Sequence, residues 1–157
     1  MITDEKSIRV FNNLIQTNLD RIEGYEKALY GTENLDKDIQ SIFAKMINES
    51  RQNNIELVNE VVARGGDPEQ NSTISSKIYR IWMDVRAAFS KNDTQAILDS
   101  CEFGEDAAIE AYEDALQTDA ELTIGQLNMI TRQKAGIQLA HNLIKRYRDT
   151  HETVTIR

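Results

Sequence analysis

Apolar residues recur every three or four positions in four long stretches of this chain. The first carries Ile8, Phe11, Ile15, Ile22, Tyr25 and Leu29, and the second Phe43, Ile47, Leu57, Val58 and Val61. The third carries Leu98, Ile109, Tyr112 and Leu116, and the fourth Leu127, Ile130, Ile137 and Ile144. Such spacing lines one face of an α-helix, and no sustained alternation argues for a strand. The pattern predicts helices at roughly 5–30, 34–64, 93–118 and 122–149, within a single domain covering 1–157.

The breaks between stripes carry recognisable punctuation. Gly31-Thr32-Glu33-Asn34 reads as a tight turn, with Thr32 or Asn34 as the N-cap of the second helix. Gly65-Gly66-Asp67-Pro68 ends that helix, because glycine takes the left-handed cap and proline follows shortly after. Asn92 or Asp93 can cap the third helix, and Thr118 to Leu122 forms another short turn. Short turns make helices one and two antiparallel neighbours, and likewise three and four. From Gly65 to Asn92 the link is longer, and a short amphipathic helix at roughly 73–89 is predicted from Ile74, Ile78, Trp82, Val85 and Phe89. A helix of about 26 residues is roughly 39 Å long, so a connection of this length can run the height of a bundle. The expectation is therefore the one-crossover plan of ferritin-like bundles, the alternative being an insertion in an ordinary up-and-down bundle.

The two hairpins repeat each other. Ile22-Glu23-Gly24-Tyr25-Glu26-Lys27-Ala28-Leu29 returns as Ile109-Glu110-Ala111-Tyr112-Glu113-Asp114-Ala115-Leu116, 87 residues on (109 − 22). The same offset pairs Phe43 with Ile130, Ile47 with Lys134, Ser50 with Ile137 and Leu57 with Ile144, without gaps. A pseudo-twofold axis relating the hairpins is expected. The register also selects a polar core layer: Asn18 and Glu105 at matching places on helices one and three, and Asn54 and His141 on helices two and four. A buried carboxylate is costly unless paired or bound. Glu105 is therefore expected either in a hydrogen-bonded structural layer, with His141, Lys134, Asn18 or Asn54 as partner, or in a metal site.

Composition narrows the function. The net charge is −8, with 26 acidic and 18 basic residues, so no basic face favours nucleic acid or an anionic membrane. One proline and seven glycines leave long helices uninterrupted. Cys101 is the single cysteine and is expected to be small and buried, without a disulfide and in a reducing compartment. No signal-like apolar stretch opens the chain and no run of about 18 apolar residues occurs, so a cytoplasmic location is expected.

Several blocks resemble a bacterial ferritin-like four-helix-bundle family catalogued as a domain of unknown function (domain of unknown function 2383). They are Asn12 to Ile15 with Ile22 to Ala28, Trp82 to Ala88, Glu102 to Ala108, and Ala140 to Ile144. The resemblance implies an all-α, ferritin-like antiparallel four-helix bundle in a bacterial cytoplasm and supplies no activity. Di-metal ferritins use one Glu on each of two helices and Glu-x-x-His on each of the other two, since residues three apart share a helix face. This chain has no Glu-x-x-His: Gln138 stands three before His141, and Arg51 and Asn54 hold the matching places on the second helix.

At most half of such a site survives, in Glu105 and His141, with Glu26 and Glu113 on the flanks of their stripes. The leading expectation is a non-enzymatic structural or interaction protein, with a stress-associated role in view, and a homodimer or other homo-oligomer; apolar residues of the crossover helix, Trp82 the largest, are expected either to cover the bundle or to form a dimer face. The alternative is an iron- or manganese-binding protein or weak oxidase using Glu105, His141, Glu26 and Glu113. A third reading is a small-molecule binder walled by Tyr25 and Tyr112. The tail from Thr150 to Arg157 is expected to fray.

Overall fold

The computed structural model describes residues 5–31, 35–70, 80–84 and 94–155. It shows an all-α bundle of four long helices, α1 (Glu5–Gly31), α2 (Lys37–Ala63), α3 (Thr94–Leu116) and α4 (Ile124–Thr155). The expected caps at Thr32, Asn34, Asn92 and Asp93 lie outside the described residues, as does most of the expected crossover helix, of which residues 80–84 are helical. The residue that precedes α2 is Asp36, which makes no side-chain cap bond. The fourth helix runs on to Thr155, past the end expected at 149, and residues 156–157 of the tail lie outside those described.

Two helix ends are closed by local chemistry. After α2 the Gly65 N–H reaches the Val62 carbonyl and the Gly66 N–H the Val61 carbonyl, each at 3.0 Å. This Schellman closure needs the left-handed backbone that Gly65 supplies at φ 80°. Before α4, the Thr123 hydroxyl accepts the Gln126 N–H at 3.1 Å and the Gln126 side chain accepts the Thr123 N–H at 2.9 Å. This is a reciprocal Thr-x-x-Gln capping box.

Contacts between side chains fix the helix directions. Arg21 meets Glu105, Asn18 meets Tyr112, and Lys6 meets Asp119, so α1 and α3 run antiparallel. Gln133 bonds Glu56 and Gln126 bonds Glu60, so α2 and α4 also run antiparallel. The start of α1 and the end of α2 share one end of the bundle, where Gly66 abuts Ile8 and Asn12 bonds the Asp67 carbonyl. With α2 antiparallel to α1, and α1 antiparallel to α3, α2 and α3 point the same way. The chain between them therefore crosses the bundle's length.

The repeat is visible in burial. Phe11 and Leu98, Leu14 and Cys101, Tyr25 and Tyr112, and Phe43 and Ile130 are pairs at the same offset, and all eight are fully buried. The core divides into two apolar clusters. One gathers Tyr25, Phe43, Met46, Trp82, Ile97, Leu98 and Cys101. The other gathers Phe11, Leu14, Leu57, Tyr112, Ile130 and Ile137. Arg21, Ser50, Glu105 and Asn18 lie between the two clusters.

Trp82 closes the first cluster. Its indole sits against α1 at Gly24 and α3 at Gly104, and a Cβ on either glycine would collide with the ring. The crossover segment is thus keyed into the bundle by one aromatic side chain, itself 1% exposed.

Candidate functional site

The centre of the bundle is a charged layer with no exposure to solvent. Arg21 on α1 presents Nε and Nη2 to the two carboxylate oxygens of Glu105 on α3, at 2.8 and 2.9 Å. Its remaining terminal nitrogen, Nη1, donates to the Ser50 hydroxyl on α2 at 2.8 Å. Side chains of both Arg21 and Glu105 are 0% exposed. Such a fork satisfies both Glu105 oxygens in the planar geometry that a guanidinium matches best. Burial pushes the Arg21 guanidinium toward losing its proton, but the Glu105 charge and hydrogen bonds, with smaller contributions from Tyr25 and Tyr112, together outweigh it and hold the group above its usual range.

Glu105 therefore belongs to a structural ion pair, and its partner is Arg21 rather than His141, Lys134, Asn18 or Asn54. Sequence reasoning missed Arg21, although the repeat contained a signal. Arg21 matches Ala108 at the 87-residue offset, and Ala108 is fully buried.

A second network adjoins the first. The Asn18 amide donates to the Leu14 carbonyl at 2.9 Å and to the Tyr112 hydroxyl at 2.8 Å, and its oxygen accepts from Asn53 at 3.2 Å. Tyr112 in turn donates to the Gln133 oxygen at 2.7 Å, and Gln133 donates to Glu56 at 3.1 Å. Burial raises the Tyr112 hydroxyl above its usual pKa, a push that the Asn18 hydrogen bond partly offsets. Tyr25, the repeat mate of Tyr112, is buried with its hydroxyl unpartnered among the described residues. Its pKa is pushed well up, first by burial and then by the Glu105 charge. The same two causes, in the same order, raise the Cys101 thiol.

The remaining candidates are dispersed. Asn54 is half-buried and donates to the Ile15 carbonyl at 3.4 Å. Glu26 accepts from Arg51 at 2.8 Å on the surface, and Glu113 is exposed. His141 corrects the expectation of an inward residue. It lies at the edge of the α3–α4 contact, with Nε2 at 2.8 Å from Asp106 and 3.5 Å from Glu102. The expected set of Glu105, His141, Glu26 and Glu113 is therefore not gathered at one point. Tyr25 and Tyr112 do not wall an open pocket either, since both are 0% exposed. A groove of about 730 Å³ does run between α1 and α3, lined among others by Gln16, Thr17, Ala107 and Ala111.

No helix among the described residues is long and apolar enough to cross a membrane. No curated protein matches the chain. The family model described as "Domain of unknown function (DUF2383)" matches residues 6–118, which takes in α1, α2 and all of α3. The chain belongs to that family, whose bundle here carries an arginine–glutamate fork at its centre.

Proposed function

We propose that this protein is a ferritin-like bundle acting as a non-enzymatic structural or interaction protein that self-associates as a homodimer. The observation that carries the reading is the Arg21–Glu105–Ser50 layer. Both oxygens of the central glutamate are engaged by a guanidinium at a site sealed from solvent. An iron or manganese ion at Glu105 would have to displace Arg21, leaving a buried cation beside another cation. The full-length crossover supports the ferritin-like kinship. The single cysteine, free and buried, fits a cytoplasmic setting.

Self-association cannot use Trp82, which is already inside the bundle. Ile55 and Val62 share one face of α2, being seven residues apart, and are 55% and 58% exposed; Leu139 on α4 is 70% exposed. These are the side chains a homodimer would cover. Two measurements test the reading. Iron(II) added in air should oxidise at the buffer rate, and sedimentation should show a dimer that Ile55→Glu and Leu139→Glu dissociate. Turnover of iron above background would overturn the non-enzymatic reading, and a monomer at every concentration would overturn the dimer.

A further inference from the structure

His141 is the residue whose surroundings the interior layer does not explain. Glu102 and Asp106 are four apart on α3, hence on one helix face, and His141 faces both of them from α4. One ligand atom from each lies within 4.8 Å of the other two. His141 and Glu102 are each 14% exposed, while Asp106 is 59% exposed and open to water.

The far side of the imidazole ring offers an acceptor. Nδ1 lies 3.2 Å from the Asn142 side-chain oxygen, and that oxygen also accepts the Gln138 amide at 3.3 Å. An acceptor at Nδ1 calls for a proton there, which directs the Nε2 lone pair at two carboxylate oxygens. In that tautomer three electron-rich atoms converge, and the point between them is a place for a cation. A proton on Nε2 serves one carboxylate well, whereas a metal ion serves all three groups.

Distances fit this arrangement. Metal–ligand bonds of about 2.1 Å give ligand–ligand edges of roughly 3.0 Å in an octahedron and 3.4 Å in a tetrahedron. The observed separations of 2.8 and 3.5 Å bracket those edges. Arg148, seven residues after His141 on α4, pairs with Oε2 of Glu102 and lies 3.7 Å from Asp99. It therefore holds Glu102 so that Oε1 turns toward His141. One nitrogen with two oxygens suits zinc and its first-row neighbours, while magnesium and calcium prefer all-oxygen surroundings.

We propose that His141 Nε2, Asp106 and Glu102 Oε1 form a divalent transition-metal site on the α3–α4 face, completed by water. It is independent of the buried Arg21–Glu105 layer and requires nothing of Glu105.

Zinc alone, titrated by calorimetry into chelator-treated full-length protein at pH 7.5, should bind saturably at one ion per chain. Cobalt should give a visible band that zinc abolishes and a hundredfold excess of magnesium does not. Asp106→Asn, at an exposed position, should weaken zinc at least tenfold, and His141→Ala should do the same or more. His151→Ala should leave binding unchanged. Circular dichroism and thermal melts of the metal-free variants confirm that they are folded. Absence of saturable zinc binding overturns the site, as does binding that survives both Asp106→Asn and His141→Ala or disappears with His151→Ala. In those cases Nε2 carries only a proton, in an ordinary ion pair with Asp106.

Discussion

Tyr25 and Tyr112 occupy equivalent places in the two hairpins and are equally buried, yet their hydroxyls have different surroundings. Tyr112 accepts from Asn18 and donates to Gln133. Tyr25 has no such partner among the described residues, and its ring packs against Phe43 at 5.0 Å and edge-on against Trp82 at 5.3 Å. The difference traces to a few exchanged positions. Where Tyr112 meets Asn18 and Gln133, the positions that correspond around Tyr25 hold Glu105 and Met46, and Glu105 is committed to Arg21. One scaffold thus tolerates either a hydrogen-bonded polar layer or an ion pair beside an apolar seal. What the repeat conserves is shape, and what it varies is how the polar groups are satisfied.

The largest test breaks the ion pair. Glu105→Leu strands the Arg21 guanidinium in the interior and should cost about 3–5 kcal/mol in urea unfolding at pH 7. Adding Arg21→Met should restore most of the loss, because the pair then leaves as a unit. If the single and double variants are equally unstable, the fork is not the reason Glu105 is tolerated.

A smaller test concerns the seal. Gly24→Ala should destabilise by about 1–3 kcal/mol, since its methyl group would strike the Trp82 indole. Helix propensity alone predicts the opposite sign, a gain of about 0.5–1 kcal/mol. The equivalent exchange in the other half, Ala111→Gly, should follow propensity and lose only that amount. Glycine preferred over alanine at position 24, but alanine over glycine at position 111, would show that the Trp82 contact and not helix propensity decides the residue at 24.

Removing hydroxyls sharpens the contrast further. Tyr112→Phe leaves Asn18 and Gln133 short of a partner and should cost about 1–3 kcal/mol. Tyr25→Phe removes a buried hydroxyl that has no hydrogen-bond partner within normal geometry among the described residues, so thermal melting should show little change or a gain.

The smallest effect is in alkaline solution. Cys101, ordinarily near 9.0, and Tyr25, ordinarily near 10.0, both keep their protons more tightly when folded. Above about pH 9 the unfolded chain releases protons that the folded chain retains, so stability should fall as pH rises past that point. Below it neither group contributes. Cys101→Ala should move the onset of the fall up toward pH 10. The matching residue in the other half is Leu14, which has nothing to titrate.

Much of this architecture could be read from residue order. The stripes gave the four helices, the Gly65-Gly66 pair gave the end of α2, and the offset of 87 aligned the buried positions of both hairpins. The polar layer was legible at Asn18 and Glu105, because both fall between apolar stripe positions. Arg21 was not, since an arginine next to a stripe reads as surface charge unless its mate, Ala108, is consulted. His141 misled for a related reason. Its register partner Asn54 is also only half-buried, so both mark the edge of a stripe and not its middle. The capping box at Thr123 and Gln126 was missed, although its Thr-x-x-Gln spacing stands in the sequence. The company His141 keeps with Glu102 and Asp106 depends on how α3 and α4 are rotated about their axes, which periodicity leaves free within a residue.

The fork at the centre also bears on how a doubled hairpin chooses its mate. Two copies of the first hairpin packed on each other in the same way would set Arg21 against Asn18, leaving a guanidinium without its anion. Two copies of the second would set Glu105 against Ala108, leaving a carboxylate without its cation. Only the mixed pairing neutralises both charges. By placing opposite charges at inequivalent ends of a near-symmetric interface, the chain selects against packing like hairpins together.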